Sequence, residues 1–213
     1  MNYSLLLLAA GKNTKMGLGY TKMFYSMDDG ETVLHHALQI FLSDQRCKQI
    51  VIVTNRTDMP KILLHSDKGK VMIVNGGDRR IDSVYNGLMA IKEDVVLIHD
   101  GARPFVKLEA VNRLLGQMDH YKACVLGIQS KDIIKEVYQG FVKETIESNH
   151  LMLIQTPQSY KTSFIINCYT RAIMDGIEAL DDATIVELTS EEPIKVVDGN
   201  HSNYKITTKE DVN

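Results

Sequence analysis

The chain has 213 residues, 44% of them hydrophobic, and 24 Lys and Arg against 27 Asp and Glu give a formal net charge of −3. Such a length allows one sizeable α/β core, and the slightly acidic balance excludes a duplex-wide nucleic-acid footprint, so anionic ligands must be met by a few placed cations. No run approaches the roughly 20 apolar residues that cross a bilayer, residues 1–10 carry no basic n-region or processing site, and Cys47, Cys124 and Cys168 lack metal-ligand spacing. The expectation is a soluble, cytoplasmic protein with reduced thiols and neither a nucleic-acid nor a membrane partner.

The first apolar run, YSLLLLA at 3–9, ends in the loop GKNTKMGLGYTK at 11–22. Gly11 can adopt positive φ and let backbone N–H groups approach an oxygen-rich ligand, and Lys12, Lys15 and Lys22 add charge. The loop is not a P-loop, since Gly17 is followed by Leu18, and not a dinucleotide fingerprint, since Asn13 stands where the second glycine belongs. Taken alone it reads equally as a surface loop with solvated lysines. A helical stretch at 33–42 follows, then apolar runs at 49–55 and 70–76.

NGGDRRIDSVYNGL at 75–88 places Gly76 and Gly77 where a flat base or a phosphate can lie against the backbone, with Ser83 able to bond a base edge. The helix expected over 81–91 puts Ile81, Val84, Leu88 and Ile91 on one face. The run DVVLIHD at 94–100 ends on Asp100, able to hold Mg²⁺, with Arg103 close behind. Another run spans 122–128, and KEVYQGFVKET at 135–145 reads as a hairpin turning at Gln139 and Gly140. NYKITT at 203–208 is expected to supply Lys205 at a strand end. Tight turns, an Asp100–Arg103 salt bridge and a surface cation are the structural alternatives for these features. Continuously apolar strands between helices imply an α/β, doubly wound sheet, with ligands at the carboxyl ends of its strands.

The set AAGxxxKMG, GGDRRxxSV, HDGARPF, QTPQ, DDA and NxKIT, in this order and spacing across essentially the whole chain, resembles the 2-C-methyl-D-erythritol 4-phosphate cytidylyltransferases and, less closely, the ribitol-5-phosphate cytidylyltransferases. The resemblance implies a single Rossmann-like nucleotidyltransferase domain over 1–213, with a mostly parallel sheet and a protruding β-arm at about 131–150 that joins a homodimer. It implies transfer of CMP from CTP to a polyol phosphate, first of all 2-C-methyl-D-erythritol 4-phosphate, with release of pyrophosphate and a requirement for Mg²⁺. Ribitol-5-phosphate or another polyol phosphate is the alternative acceptor, and a nucleotide-binding paralogue with little turnover is the alternative of another class.

Carried over residue by residue, the resemblance assigns Lys15, Lys22 and Lys205 to catalysis, with Lys15 standing where the family usually has arginine. It assigns Ala9, Ala10, Gly11, Gly76, Gly77, Arg80, Ser83, Asp100 and Gly101 to the nucleotide, and Asp100 to the metal. Arg103, Ser148, Thr156 and Asp181 fall to the acceptor, Thr156 within a Thr-Pro-Gln segment read as a turn. Three positions depart from the family pattern on that side: Ile133, Ser148 and Leu180 stand where it carries threonine, arginine, and threonine or serine.

Overall fold

The computed structural model describes residues 1–11, 21–63 and 69–212. Among these residues, strands and helices alternate as β1 Tyr3–Leu8, α1 Val33–Ser43, β2 Cys47–Thr54, α2 Met59–Leu63, β3 Val71–Asn75, α3 Arg80–Leu88, β4 Val95–Asp100, α4 Leu108–Gln117 and β5 Ala123–Gln129; three further strands, β6 Ile134–Tyr138, β7 Phe141–Ile146 and β8 Met152–Lys161, then two helices, α5 Thr162–Met174 and α6 Asp182–Thr189, and a last strand, β9 Ile194–Asp198, follow. Seven strands form one sheet in the order β3-β2-β1-β4-β8-β5-β9. Neighbours run parallel except at β8, which is antiparallel to both β4 and β5. The sheet is thus mostly parallel and doubly wound, as expected.

Both faces of the sheet are covered, which is why its central strands are apolar at successive positions. Leu5 and Leu7 of β1 enter one core with Val33, Ala37 and Phe41 of α1 and Leu114 of α4. Leu6, between them, enters the other with Val84 and Leu88 of α3, Tyr169 of α5 and Val186 of α6. Helix α1 starts at Thr32, whose hydroxyl oxygen accepts from the His35 N–H at 3.1 Å. Helix α3 ends at Leu88, short of the expected Ile91. Gln49 of β2 donates to the Ala90 carbonyl at 2.8 Å and accepts from the Lys92 N–H at 3.0 Å, so groups that another helical turn would use are already satisfied.

From β1 the chain builds outward through β2 and β3, then returns to the other side of β1 as β4. The point of reversal lies between β1 and β4, where Leu8 aligns with Asp100, and ligands of open α/β sheets bind at such switch points. Strands β6 and β7 form a separate ribbon whose turn places Gln139 at φ 50° and Gly140 at φ 85°, the paired left-handed conformations of a type I′ hairpin. This ribbon is the hairpin expected within 131–150. Val137, Tyr138, Phe141 and Val142 on it are all more than half exposed.

Three local expectations are corrected. The Thr-Pro-Gln segment is not a turn but the middle of β8, with a cis Thr156–Pro157 peptide. Lys205 is not at a strand end: residues 203–207 have no regular secondary structure and are tethered by the Ile206 N–H, which donates to the Ala102 carbonyl at 2.8 Å. Gly11 does not adopt positive φ; the positive-φ glycines among the described residues are Gly30, Gly140 and Gly176.

Candidate active site

A cavity of about 390 Å³ opens at the switch point, within the size range of small-molecule sites, about 300–1,000 Å³. Its floor is the end of β1 and the start of the loop beyond it, Leu8 to Gly11; Gly77, Arg79, Arg80 and Ser83 at the start of α3 form one side, and Asp100, Ala102, Lys22 and Lys205 the other. The structure therefore brings Ala9, Ala10, Gly11, Gly77, Arg80, Ser83, Asp100, Lys22 and Lys205 to one cavity. Lys15 lies outside the described residues.

The glycines next to the cavity are demanded by packing of the protein on itself. A Cβ on Gly76 would stand 3.0 Å from both Ala10 Cβ and Ser83 Oγ, and one on Gly77 only 2.4 Å from Asp82 Cβ. A side chain at either position is excluded by the protein itself, and the effect is to draw the start of α3 against the end of β1, with Gly77 still lining the cavity. Gly101 is equally confined, with Met23 Sδ 2.8 Å and the Leu8 carbonyl oxygen 3.1 Å from its would-be Cβ. Gly11, by contrast, has nothing within 4 Å of that position. Ser83 Oγ accepts from the Gly77 N–H at 3.0 Å, closing the turn while Ser83 lines the cavity.

Asp100 is the electrostatic centre. Its Oδ2 takes the Lys205 ammonium at 2.7 Å and lies 3.8 Å from Arg103 Nε, while Oδ1 makes no hydrogen bond among the described residues. Burial opposes its ionisation, but Lys205, Arg80 and Arg103 together outweigh burial and hold the carboxyl below its ordinary value. Lys22 occupies a short 3₁₀ turn, Lys22–Phe24, and donates to the Ile206 carbonyl at 2.8 Å. Both cations thus lean on the same C-terminal segment.

Arg80 is held from behind. Its two terminal nitrogens each lie 2.9 Å from one oxygen of Asp182, a fully buried side chain that also accepts from the Tyr169 hydroxyl. Burial disfavours the guanidinium charge, yet Asp182 more than compensates and keeps Arg80 firmly protonated.

The residues assigned to the acceptor do not line this cavity. Asp181 caps α6, its carboxylate taking the Thr184 N–H at 2.9 Å, the Thr184 hydroxyl at 2.6 Å and Gln158 Nε2 at 2.9 Å. Thr156 is buried, accepting from the Asp100 N–H at 3.0 Å. Arg103 is mostly buried and donates to the Asn203 carbonyl at 2.8 Å; burial lowers its pKa. Ser148 sits in a 3₁₀ turn after β7. Ile133 is 77% and Leu180 93% exposed, so these two departures contact little within one protomer. Gly76 and Gly101 shape the walls without lining them.

Sequence reasoning missed Asp182 and His99. Asp182 carried a signal, an acid facing inward among the apolar residues of DATIVEL. His99 was visible only as part of the HDGARPF motif; it is fully buried, and burial above all brings its pKa down to about 4.

Three comparisons bear on what this site is for. The family model described as IspD, 2-C-methyl-D-erythritol 4-phosphate cytidylyltransferase, matches residues 3–213. The chain is similar to the 2-C-methyl-D-erythritol 4-phosphate cytidylyltransferase of Geobacillus kaustophilus (strain HTA426), 38% identical over 100% of this chain and 94% of that one, and to that of Bacillus pumilus (strain SAFR-032), 35% identical over the same shares. Among solved structures it is similar to the Francisella tularensis 2-C-methyl-D-erythritol 4-phosphate cytidylyltransferase, with 28% identity, a TM-score of 0.86 and coverage of 100% of this chain and 97% of that one. The Thermus thermophilus structure of the same description gives 28% identity, a TM-score of 0.84 and coverage of 100% and 96%. With a family model covering nearly its whole length and full-length relatives at this identity, the chain belongs to the 2-C-methyl-D-erythritol 4-phosphate cytidylyltransferase family.

Proposed function

We propose that the protein transfers CMP from CTP to 2-C-methyl-D-erythritol 4-phosphate and releases pyrophosphate. The observation that carries this reading is the meeting of Asp100, Lys22, Lys205 and Arg80 in one cavity at the switch point of the sheet. A phosphate oxygen of the acceptor attacks the α-phosphorus of CTP; the new P–O bond forms as the bond to the β-phosphate bridging oxygen breaks, and pyrophosphate carries that electron pair away. Two anions must approach, and charge builds on the non-bridging oxygens. The protein's contribution is therefore positioning and placed positive charge, with no covalent intermediate required.

Lys22 and Lys205 supply that charge, and Arg80, braced by Asp182, fixes the nucleotide. A divalent cation fits the donor set. Among the described residues no three His, Cys, Asp or Glu side chains converge to cage a metal, and Mg²⁺ commonly binds through one or two carboxylates plus substrate phosphates. Asp100 Oδ1 is the oxygen that would hold it. When bound, it would neutralise charge on the phosphate oxygens. The exposed apolar ribbon β6–β7 supports a homodimer joined through the arm, since a two-stranded ribbon is marginal alone. A cytoplasmic location follows from the substrates of such a reaction, and no helix among the described residues is long and apolar enough to cross a membrane.

The test is pyrophosphate release from purified protein with CTP, Mg²⁺ and 2-C-methyl-D-erythritol 4-phosphate, with and without chelator, beside thermal shifts with each nucleoside triphosphate. Turnover that stops on chelation, and stabilisation by CTP above ATP and GTP, are expected. Equal stabilisation by all nucleotides with no pyrophosphate formed would overturn the proposal.

A further inference from the structure

A closed ring of hydrogen bonds lies buried beside the reacting groups and joins three distant stretches of chain. His99 Nε2 is 3.1 Å from the Arg103 carbonyl oxygen and His99 Nδ1 is 3.0 Å from Thr156 Oγ1. A carbonyl only accepts, so Nε2 carries the proton and Nδ1 accepts from the Thr156 hydroxyl. Asn203 Nδ2 donates to the Thr156 carbonyl at 2.8 Å, and Arg103 Nη1 donates to the Asn203 carbonyl at 2.8 Å, which completes the circuit. Asp100 is tied to it through its own N–H on Thr156 Oγ1.

The segment leaving Asn203 carries both cation contacts: Lys205 on Asp100, and the Ile206 carbonyl that receives Lys22. We infer that His99 and Asn203 are positioning residues for the transfer: the ring they close with Thr156 and Arg103 sets the 203–206 segment at the height where Lys205 reaches Asp100 and the Ile206 carbonyl receives Lys22. The inference rests on the reading of the cavity as the CTP site.

Apolar side chains would fill these buried positions without the cost of enclosing an imidazole and a carboxamide. Hydrogen bonds add direction to distance, which dispersion contacts do not. The ring is also not built for stability alone. Arg103 Nε and Asn203 Oδ1 remain buried without a hydrogen-bond partner among the described residues, and local rules are broken in this way mainly at functional sites.

The experiment uses the full chain and three substitutions. Asn203→Ala deletes one link; His99→Leu deletes two; His99→Asn puts an amide oxygen in place of Nδ1 and keeps the acceptor for Thr156. Pyrophosphate release gives kcat, and calorimetry gives dissociation constants for CTP and for cytidine, which presents no phosphate to Lys22 or Lys205. For Asn203→Ala and His99→Leu we expect kcat to fall about 10- to 100-fold, as for a displacement on the order of 1 Å, with CTP binding weakened and cytidine binding unchanged. His99→Asn keeps the Thr156 link and loses the one to the Arg103 carbonyl, so its kcat should fall less than that of His99→Leu. Folded variants with unchanged kcat, or with CTP and cytidine weakened by the same factor, would overturn the inference, because general loosening moves both ligands together. Should His99→Leu not fold, Asn203→Ala decides by the same two readouts, since it introduces no new atoms. Wild-type protein that forms no pyrophosphate would overturn the functional reading and this inference with it; active wild type with unimpaired variants would overturn the inference alone.

Discussion

Replacing Asp182 with alanine should destabilise the protein by about 3–4 kcal/mol, near the lower end of the range for breaking a buried ion pair. Asp182 is completely buried and takes two bonds from Arg80 and one from Tyr169. The two orphaned partners respond differently. The Arg80 side chain is 34% exposed and lines the cavity, so its charge can turn towards water and recover part of the loss. Tyr169 is fully buried and cannot, and an unsatisfied hydroxyl costs about 1–3 kcal/mol. Asp182→Asn keeps an acceptor for Tyr169 and loses the charge, so about half the effect is expected, roughly 2 kcal/mol. Urea unfolding followed by circular dichroism at neutral pH gives both values, and a chain of this size should lose about 2–4 °C of melting temperature per kcal/mol. A loss below about 1 kcal/mol in Asp182→Ala, the level of an ordinary surface pair, would refute the claim that a buried carboxylate braces Arg80. So would an equal loss in the two variants.

Acid should destabilise the metal-free protein through His99. Burial pushes its pKa down to about 4 from the ordinary 6.5, so as pH falls the unfolded chain takes the proton first, and stability is lost between those two values. At 1.36 kcal/mol per unit this is about 3 kcal/mol; urea midpoints in chelating buffer should show it in wild type and not in His99→Asn, and equal slopes would count against it. Lys22→Ala should lower kcat for pyrophosphate release about 10- to 1,000-fold, by removing charge that acts most strongly on the transition state; an unchanged kcat with a raised KM would assign Lys22 to uniform binding instead. The proposed homodimer predicts that a charge on the arm in Phe141→Glu, at a residue 79% exposed in one protomer, shifts light scattering from dimer to monomer and leaves the melting temperature in the monomeric range of concentration unaltered; a wild type that scatters as a monomer would refute it.

What could be read from the sequence, and what could not, divides by distance along the chain. The parallel strands β1 to β5 were legible as continuous apolar runs, whereas the parallel edge strand β9 was not, because exposed Lys195 and Asp198 interrupt it; the hairpin was legible in Gln139 and Gly140, which form a turn with two left-handed residues. Strand β8 was not, because Gln155, Thr156, Gln158 and Ser159 look like loop residues; each is buried, and each is satisfied by a partner that only the fold supplies. The strand ends around the cavity were legible for the same reason as the strands. The supports behind them were not: Asp182 meets Arg80 across 102 residues of sequence, and Thr156 meets His99 across 57. At Gly76 and Gly77 the structure adds a constraint that was not legible, since close packing by Ala10, Ser83 and Asp82 excludes a side chain at both.

The reversed direction of β8 decides where the hairpin can stand. The last residue of β5, Gln129, pairs with the first of β8, Met152, so the intervening excursion leaves and re-enters the sheet at the same rim, and that rim is the one on which β1 and β4 end. A parallel strand in the same slot would have to be entered from the opposite rim, and the chain between would have to cross the whole face of the sheet. Running one strand backwards lets an insertion grow beside the cavity without disturbing a single crossover helix, and any second molecule that grips the ribbon is thereby held on the reacting side of this one.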